Sequence, residues 1–138
     1  MYKPRSVVVL VVEDDPILRL SNVALLEDAG FTAVEAANAD EAIAILEQRL
    51  DIQIVFTDIE MPGSMDGLRL ARAIRDRWPP VQLVIASGRF APTAQEMPDG
   101  SRFFSKPFRS EDLIAAMCSL AELNAARRDI TANPHFPA

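Results

Sequence analysis

Five polar side chains of this sequence each follow a short apolar run, at the point where a buried strand would end and face solvent. They are Glu13, Asp14, Asp58, Ser87 and Lys106. Carboxylates that lie close together repel one another, and a hard cation with oxygen ligands relieves that repulsion. Mg²⁺ is the natural candidate, because it takes one or two carboxylates together with phosphate oxygens. A carboxylate beside such a cation can also act as a nucleophile and form an aspartyl phosphate.

The serine and the lysine in this set suit a phosphoryl group. Lys106 would pair with the phosphoryl oxygens as a point charge, and the Ser87 hydroxyl would donate a hydrogen bond to one of them. This chemistry requires a fold that brings together side chains spread over positions 13 to 106.

Short apolar runs alternate with helical patterns along the chain. The runs predict strands at 7–12, 32–36, 52–57, 81–87 and 102–105. The patterns between and after them predict helices from about Pro16 to Ala29, from Asn38 to Leu50, through Leu70 and Ile74 to Trp78, and from about Ser110 to Ala126. Strands separated by helices form right-handed crossovers and a parallel sheet. We therefore expect a three-layer, doubly wound α/β fold with the polar groups at the carboxyl ends of its five strands.

The segment "GRFAPTAQEMPDGS" at 88–101 lies where a crossover helix would be needed. Pro98 lacks an amide donor and pushes Met97 out of the α region, so at most about one and a half turns fit after Pro92. The fourth helix of the fold is therefore expected to be a loop or a single turn.

Length and composition indicate one domain. The 138 residues are 49% hydrophobic, which is enough for one core. The apolar runs are too short for a membrane span, and "MYKPRS" does not resemble a signal peptide, so a cytoplasmic location is expected. The net charge of -6 argues against direct binding to nucleic acid. One cysteine, Cys118, and one histidine, His135, offer neither a disulfide framework nor a metal cage.

Four motifs in this order resemble the receiver domain of two-component response regulators. They are "VVEDD" at 11–15, "TDIEMPGSMDG" at 57–67, "ASG" at 86–88 and "SKPF" at 105–108. The resemblance covers about residues 6–123 and implies a flavodoxin-like sheet with strand order 2-1-3-4-5. It further implies a receiver domain at 1–126, and the polar, proline-containing residues 127–138 are expected to form a flexible tail.

The resemblance assigns the metal ligands. Asp58 is the implied phosphoacceptor and also contacts Mg²⁺, and Asp14 is a direct ligand of the metal. Glu13 would reach the metal through water, and Glu60 would contribute its backbone carbonyl. Asp15, in contrast, is expected only to cap the helix that follows it.

The resemblance also assigns the groups around the phosphoryl group. Ser87 and Lys106 would bind it, and Lys106-Pro107 would be a cis peptide. Phe103 stands at the position of the family's aromatic switch, although a phenylalanine there is also compatible with simple core packing.

Three features depart from the usual pattern of the family. The loop "PGSMDG" is one residue longer than the commonest form, and Phe103 lacks the hydroxyl of the frequent tyrosine. The irregular segment 88–101 replaces a full helix. We therefore expect no dimer built from the fourth helix, the fifth strand and the fifth helix.

The expected function is that of a single-domain response regulator, not of a classical enzyme. It would accept a phosphoryl group from a histidine kinase or histidine phosphotransfer protein, and then dock onto a partner or relay the group onward. One alternative is a phosphatase of the haloacid-dehalogenase type, but its nucleophile would follow the first strand, with a second aspartate two positions later. Another is a degenerate binding module that is never phosphorylated, against which the intact acids, Ser87 and Lys106 argue.

Overall fold

The computed structural model describes residues 7–132, and its strands form a single parallel sheet with helices on both faces. The strands are β1 (Val8–Val12), β2 (Thr32–Ala36), β3 (Ile52–Asp58), β4 (Gln82–Ser87) and β5 (Arg102–Ser105). The helices are α1 (Pro16–Asp28), α2 (Ala39–Gln48), α3 (Gly67–Arg77) and α4 (Ser110–Ala132). The strand order is β2-β1-β3-β4-β5, which confirms the predicted fold class and order.

The central strands β1, β3 and β4 are buried on both faces of the sheet. On one face Leu10 packs in a core with Leu46 and Ile74, which come from α2 and α3. On the other face Val9 packs in a second core with Leu113, which comes from α4. A strand covered on both faces has no solvent side, and this is why the run at 7–12 is apolar throughout instead of alternating.

Polar side chains start three of the helices at the carboxyl edge of the sheet. Asp15, Asn38 and Asp66 each accept a hydrogen bond from a backbone N–H two or three positions further on, at 2.9 Å in each case. These side chains satisfy amide donors that the first turn of a helix leaves unpaired. The predicted role of Asp15 as a helix cap is confirmed, and the helix predicted to begin at Asn38 is capped by that residue.

Residues 88–101 form no regular helix, as the two prolines predict. One turn closes where the Glu96 amide donates to the Thr93 carbonyl at 3.0 Å. Two arginines of α3 then hold the loop. Arg72 Nε donates to the Glu96 carbonyl at 3.0 Å, and Arg75 Nη2 donates to the Asp99 carbonyl at 3.1 Å.

The last helix is longer than predicted. It was expected to end near Ala126, but α4 continues to Ala132. The segment "AARRDITA" at 125–132 contains neither proline nor glycine, and its alanines and arginines favour helix. The first helix breaker is Pro134. The rest of the predicted tail, at 133–138, lies outside the described residues.

Candidate functional site

Three acids meet at the carboxyl ends of β1 and β3. The carboxylate oxygens of Glu13, Asp14 and Asp58 lie within 4.8 Å of one another. Glu13 is only 3% exposed and Asp58 is 9% exposed, whereas Asp14 faces solvent. The site is thus a shallow acidic depression with two of its carboxylates set into the core.

Lys106 brings a positive charge to this cluster from the end of β5. Its Nζ lies 3.3 Å from Asp58 Oδ2 and 3.5 Å from Glu13 Oε1. The Lys106 amide donates to the Ser87 carbonyl at 2.8 Å, which fixes the backbone of the lysine against the end of β4. The predicted cis peptide at Lys106-Pro107 is confirmed.

The electrostatics of the site favour an added cation. Burial raises the pKa of Asp58, and the neighbouring Glu60 and Asp14 carboxylates raise it further, while the Lys106 cation lowers it. Burial likewise raises the pKa of Glu13, and the Asp15 amide that donates to its carboxylate acts in the opposite direction. One lysine therefore leaves the negative charge of the acids only partly balanced.

Asp58 also has an oxygen with no donor. Its Oδ1 is buried and accepts no hydrogen bond from any residue of the described range 7–132. A buried carboxylate oxygen without a donor is costly, and a metal ion is one partner that would satisfy it. Carboxylate oxygens are the ligands that Mg²⁺ prefers, so the residues present fit that ion.

The serine predicted to bind a phosphoryl group has a different partner in this structure. Ser87 Oγ donates to Glu60 Oε2 at 2.8 Å. The other oxygen of the same carboxylate, Glu60 Oε1, accepts from the amides of Gly88 at 2.9 Å and Arg89 at 3.2 Å. Sequence reasoning assigned Glu60 only through its backbone carbonyl and missed this side-chain role. The available signal was an acid two positions after Asp58.

The strand end that carries Asp58 is fixed from behind by close backbone packing. A Cβ atom on Gly67 would lie 1.9 Å from the Asp58 carbonyl oxygen, so no other residue fits there without movement. The Gly67 amide donates to the Ile59 carbonyl at 3.0 Å, and Thr57 Oγ1 donates to the Asp58 carbonyl at 3.0 Å. The loop between β3 and α3 is therefore held against the end of the strand.

The last predicted residue, Phe103, lies on β5. Its ring is half-buried and packs against the core that contains Leu10 and Ile74. Its position is compatible with packing and with a switch role, so the switch role stays a prediction.

The parallel sheet with its acidic carboxyl edge and facing lysine defines a receiver-type phosphoacceptor fold. The chain belongs to the response regulator receiver domain family, whose model matches residues 9–118. Receiver domains of response regulators take phosphoryl groups from histidine kinases and serve as signalling domains, not as classical enzymes.

Individual relatives agree with this assignment. The C4-dicarboxylate transport transcriptional regulatory protein DctD of Rhizobium meliloti is 40% identical over 109 residues, covering 77% of this chain and 23% of that protein. The sensor kinase CckA of Brucella abortus is 33% identical over 121 residues, covering 85% of this chain and 13% of that protein. The chain thus spans less than a third of the length of these two relatives.

Solved structures give the same fold. The crystal structure of a response regulator receiver protein from Sinorhizobium medicae superposes with a TM-score of 0.80 at 33% identity, covering 86% of this chain and 96% of that one. Along residues 7–132, none of the helices combines the length and apolar character that a membrane span needs.

Proposed function

We propose that this receiver domain accepts a phosphoryl group on Asp58 from the phosphohistidine of a histidine kinase or histidine phosphotransfer protein. The observation that carries the proposal is the environment of the Asp58 carboxylate. Lys106 binds one of its oxygens at 3.3 Å, and the other has no donor within the described residues. A carboxylate held in this way, at the open end of a rigid strand, is oriented for attack on an incoming phosphorus atom.

The transfer itself uses groups of this chain. An Asp58 oxygen attacks the phosphorus atom, the bond from phosphorus to the donor imidazole nitrogen breaks, and the imidazole leaves with the bonding electron pair. Lys106 pairs with the negative charge that the phosphoryl oxygens bring into the site. The Ser87 hydroxyl becomes a donor to one of those oxygens once its present bond to Glu60 opens.

The acids of the site would hold Mg²⁺. Asp14 and Asp58 would bind it directly, Glu13 through water, and Glu60 through its backbone carbonyl. The ion would supply positive charge that offsets both the clustered carboxylates and the phosphoryl oxygens.

The surface beside the site fits a protein donor. Ile17, Leu18 and Leu20 on α1 are 77%, 46% and 65% exposed. Leu18 also lines a groove that reaches Lys106 and Phe108 at the start of the segment after β5. Exposed apolar side chains next to a charged site are typical of protein contact surfaces, whereas a small phosphodonor would not need them.

Two further predictions concern signal output. We propose Phe103 as the residue whose ring moves with phosphorylation.

We also propose that the usual dimer through the fourth-helix face does not form, because residues 88–101 present an irregular loop there. Sedimentation of the protein with and without beryllofluoride, a mimic of the phosphoryl group, measures whether it dimerises. A dimer that appears on addition of beryllofluoride and packs on this loop would contradict it.

Phosphorylation with acetyl phosphate tests the central proposal. With Mg²⁺ present, mass spectrometry of the intact protein should show one added phosphoryl group that is stable in acid and labile in base. The Asp58→Asn variant keeps the shape of the side chain but has no nucleophilic oxygen anion, so it should stay unlabelled. Normal labelling of this variant would place the acceptor on another residue, and an unlabelled wild-type protein would overturn the proposal.

A further inference from the structure

The Glu60 carboxylate collects three hydrogen-bond donors at the end of β4. They are the Ser87 hydroxyl and the amides of Gly88 and Arg89, at 2.8, 2.9 and 3.2 Å. Both carboxylate oxygens are used, and the amides belong to the first two residues of the loop that follows Ser87. Two adjacent backbone amides and a hydroxyl that converge on one anion form a small anion-binding site.

These donors lie at the same sheet edge as Asp58. Asp58 pairs with Ala86 in the parallel register of β3 and β4, and the Ile59 amide donates to the Ala86 carbonyl at 2.9 Å. Ser87 is thus one position beyond the direct neighbour of Asp58.

We propose that the Glu60 carboxylate occupies, in the resting protein, the donors that a phosphoryl group on Asp58 uses, so that phosphorylation must displace Glu60. This inference rests on the proposed function. A carboxylate and a phosphoryl dianion repel each other and compete for the same donors. Glu60 is therefore a positioning residue that slows phosphorylation and holds the start of the 88–101 loop in its resting form.

The structure offers room for the displaced side chain. Glu60 itself lines an open cleft, together with residues that include Asp14, Met61, Asp66, Arg89 and Phe90. Arg89 is exposed and also lines that cleft, so its guanidinium group is available to pair with the released carboxylate. The backbone carbonyl predicted to bind Mg²⁺ is unaffected by loss of the side chain, so a truncated residue separates the two roles of Glu60.

Labelling rates of matched variants test the competition. Glu60→Ala removes the competing carboxylate and should be labelled by acetyl phosphate on the order of tenfold faster than the wild type. Glu60→Gln keeps an acceptor oxygen but loses the charge, and its rate should lie between the two. Glu47→Ala is the control, because Glu47 lies near the end of α2 and pairs with Arg77 of α3. It should leave the labelling rate unchanged. Glu60→Ala at or below the wild-type rate would overturn the inference.

The amide resonances of Gly88 and Arg89 provide a test that does not depend on rate. Without a phosphoryl mimic, both amide signals should differ between wild type and Glu60→Ala, because the carboxylate acceptor is missing in the variant. With Mg²⁺ and beryllofluoride the signals should converge, because the same mimic then accepts from these amides in both proteins. A difference that persists in the bound state would show that Glu60 is not displaced, and would sink the inference.

The two proposals fail in different ways. If no protein is labelled by acetyl phosphate, the proposed function fails and this inference fails with it. If the wild type is labelled on Asp58 but the Glu60 variants behave like it, the function stands and the competition alone is refuted.

Discussion

The Lys106 ammonium group lies between two buried carboxylates, 3.3 Å from Asp58 Oδ2 and 3.5 Å from Glu13 Oε1. The lysine is therefore the counter-ion of both acids, and it is also the group that we propose binds a phosphoryl oxygen. A substitution that removes the charge of Lys106 but keeps the length of its side chain distinguishes these electrostatic roles from a role in packing.

Lys106→Met should impair phosphorylation and reduce stability. Labelling by acetyl phosphate should fall about a hundredfold, which is typical when a charge that stabilises a transition state is removed. The free energy of unfolding without Mg²⁺ should fall by about 1 to 3 kcal/mol, because two buried carboxylates lose a charged partner. Arg109→Met, at an exposed ion pair with Glu111, is the control and should change neither quantity. Labelling of Lys106→Met at the wild-type rate would show that the lysine does not take part in phosphorylation.

The contribution of Asp58 and Glu13 to the stability of the metal-free protein should fall as the pH rises. Burial raises the pKa of both Asp58 and Glu13 in the folded state. Carboxyls of the unfolded chain titrate at roughly pH 4. Between that pH and the raised pKa values of Asp58 and Glu13, the folded state binds more protons than the unfolded chain. The stabilisation that these two protonated acids contribute is therefore complete below this pH range and is lost as the pH rises through it.

Asp58→Asn should flatten this dependence. The amide cannot ionise, so the variant should be more stable than the wild type at neutral pH in the presence of a chelator. Urea unfolding at several pH values measures the effect, and Asp28→Asn, at an exposed acid of α1, serves as the control. A pH dependence in Asp58→Asn as steep as that of the wild type would show that Asp58 does not contribute to it.

Asp14 and Asp15 should respond differently to the same change. Loss of residues that merely support a metal site costs about 10- to 100-fold in affinity, and loss of Asp14, a proposed direct ligand, should cost at least as much in a Mg²⁺ titration. Asp15→Asn should bind Mg²⁺ normally, because this side chain accepts from Ile17 N at 2.9 Å and caps α1. Asp15→Ala should lose about 1 kcal/mol of stability without a change in metal affinity. Equal losses of affinity for both asparagine variants would contradict the assignment.

Gly67→Ala should destabilise the domain severely. The new methyl group would meet the Asp58 carbonyl oxygen at 1.9 Å, and relief requires movement of β3 or α3. We expect a loss of about 3 kcal/mol or more in chemical unfolding, together with slower labelling of Asp58. Gly88→Ala is the matched control for stability alone, since its methyl group would lie 3.7 Å from Lys106 Cβ in ordinary contact. Similar stabilities for the two variants would show that the end of β3 can move to accommodate the methyl group at little cost.

The fold and most of the site could be predicted because both follow local rules. Strands buried on both faces produce continuous apolar runs, and the first polar residue after each run marks the carboxyl edge of the sheet. This placed Asp58 and Lys106 at one edge although they are far apart in sequence. Pro98 likewise limited any helix after Pro92 to about one and a half turns, through a property of proline alone.

The features that were missed depend on contacts between distant segments. Which donors the Glu60 carboxylate meets depends on the path of the loop after β3, and Ser87 lies 27 positions away. The bonds from Arg72 and Arg75 to the 88–101 loop each span 24 positions. The end of α4 was predicted too early because residues 125–132 are polar, which resembles a tail, although their alanines and arginines favour helix.

The way the 88–101 loop is held limits how it could be transplanted. A crossover helix satisfies its own backbone and could be exchanged between proteins as a unit. This loop instead relies on the guanidinium groups of Arg72 and Arg75 to satisfy its carbonyls at Glu96 and Asp99. A chimera that received the loop without both arginines would leave those carbonyls to water, and the graft would not keep its path. The smallest portable piece of this surface therefore includes a face of α3, the helix that begins just behind Asp58.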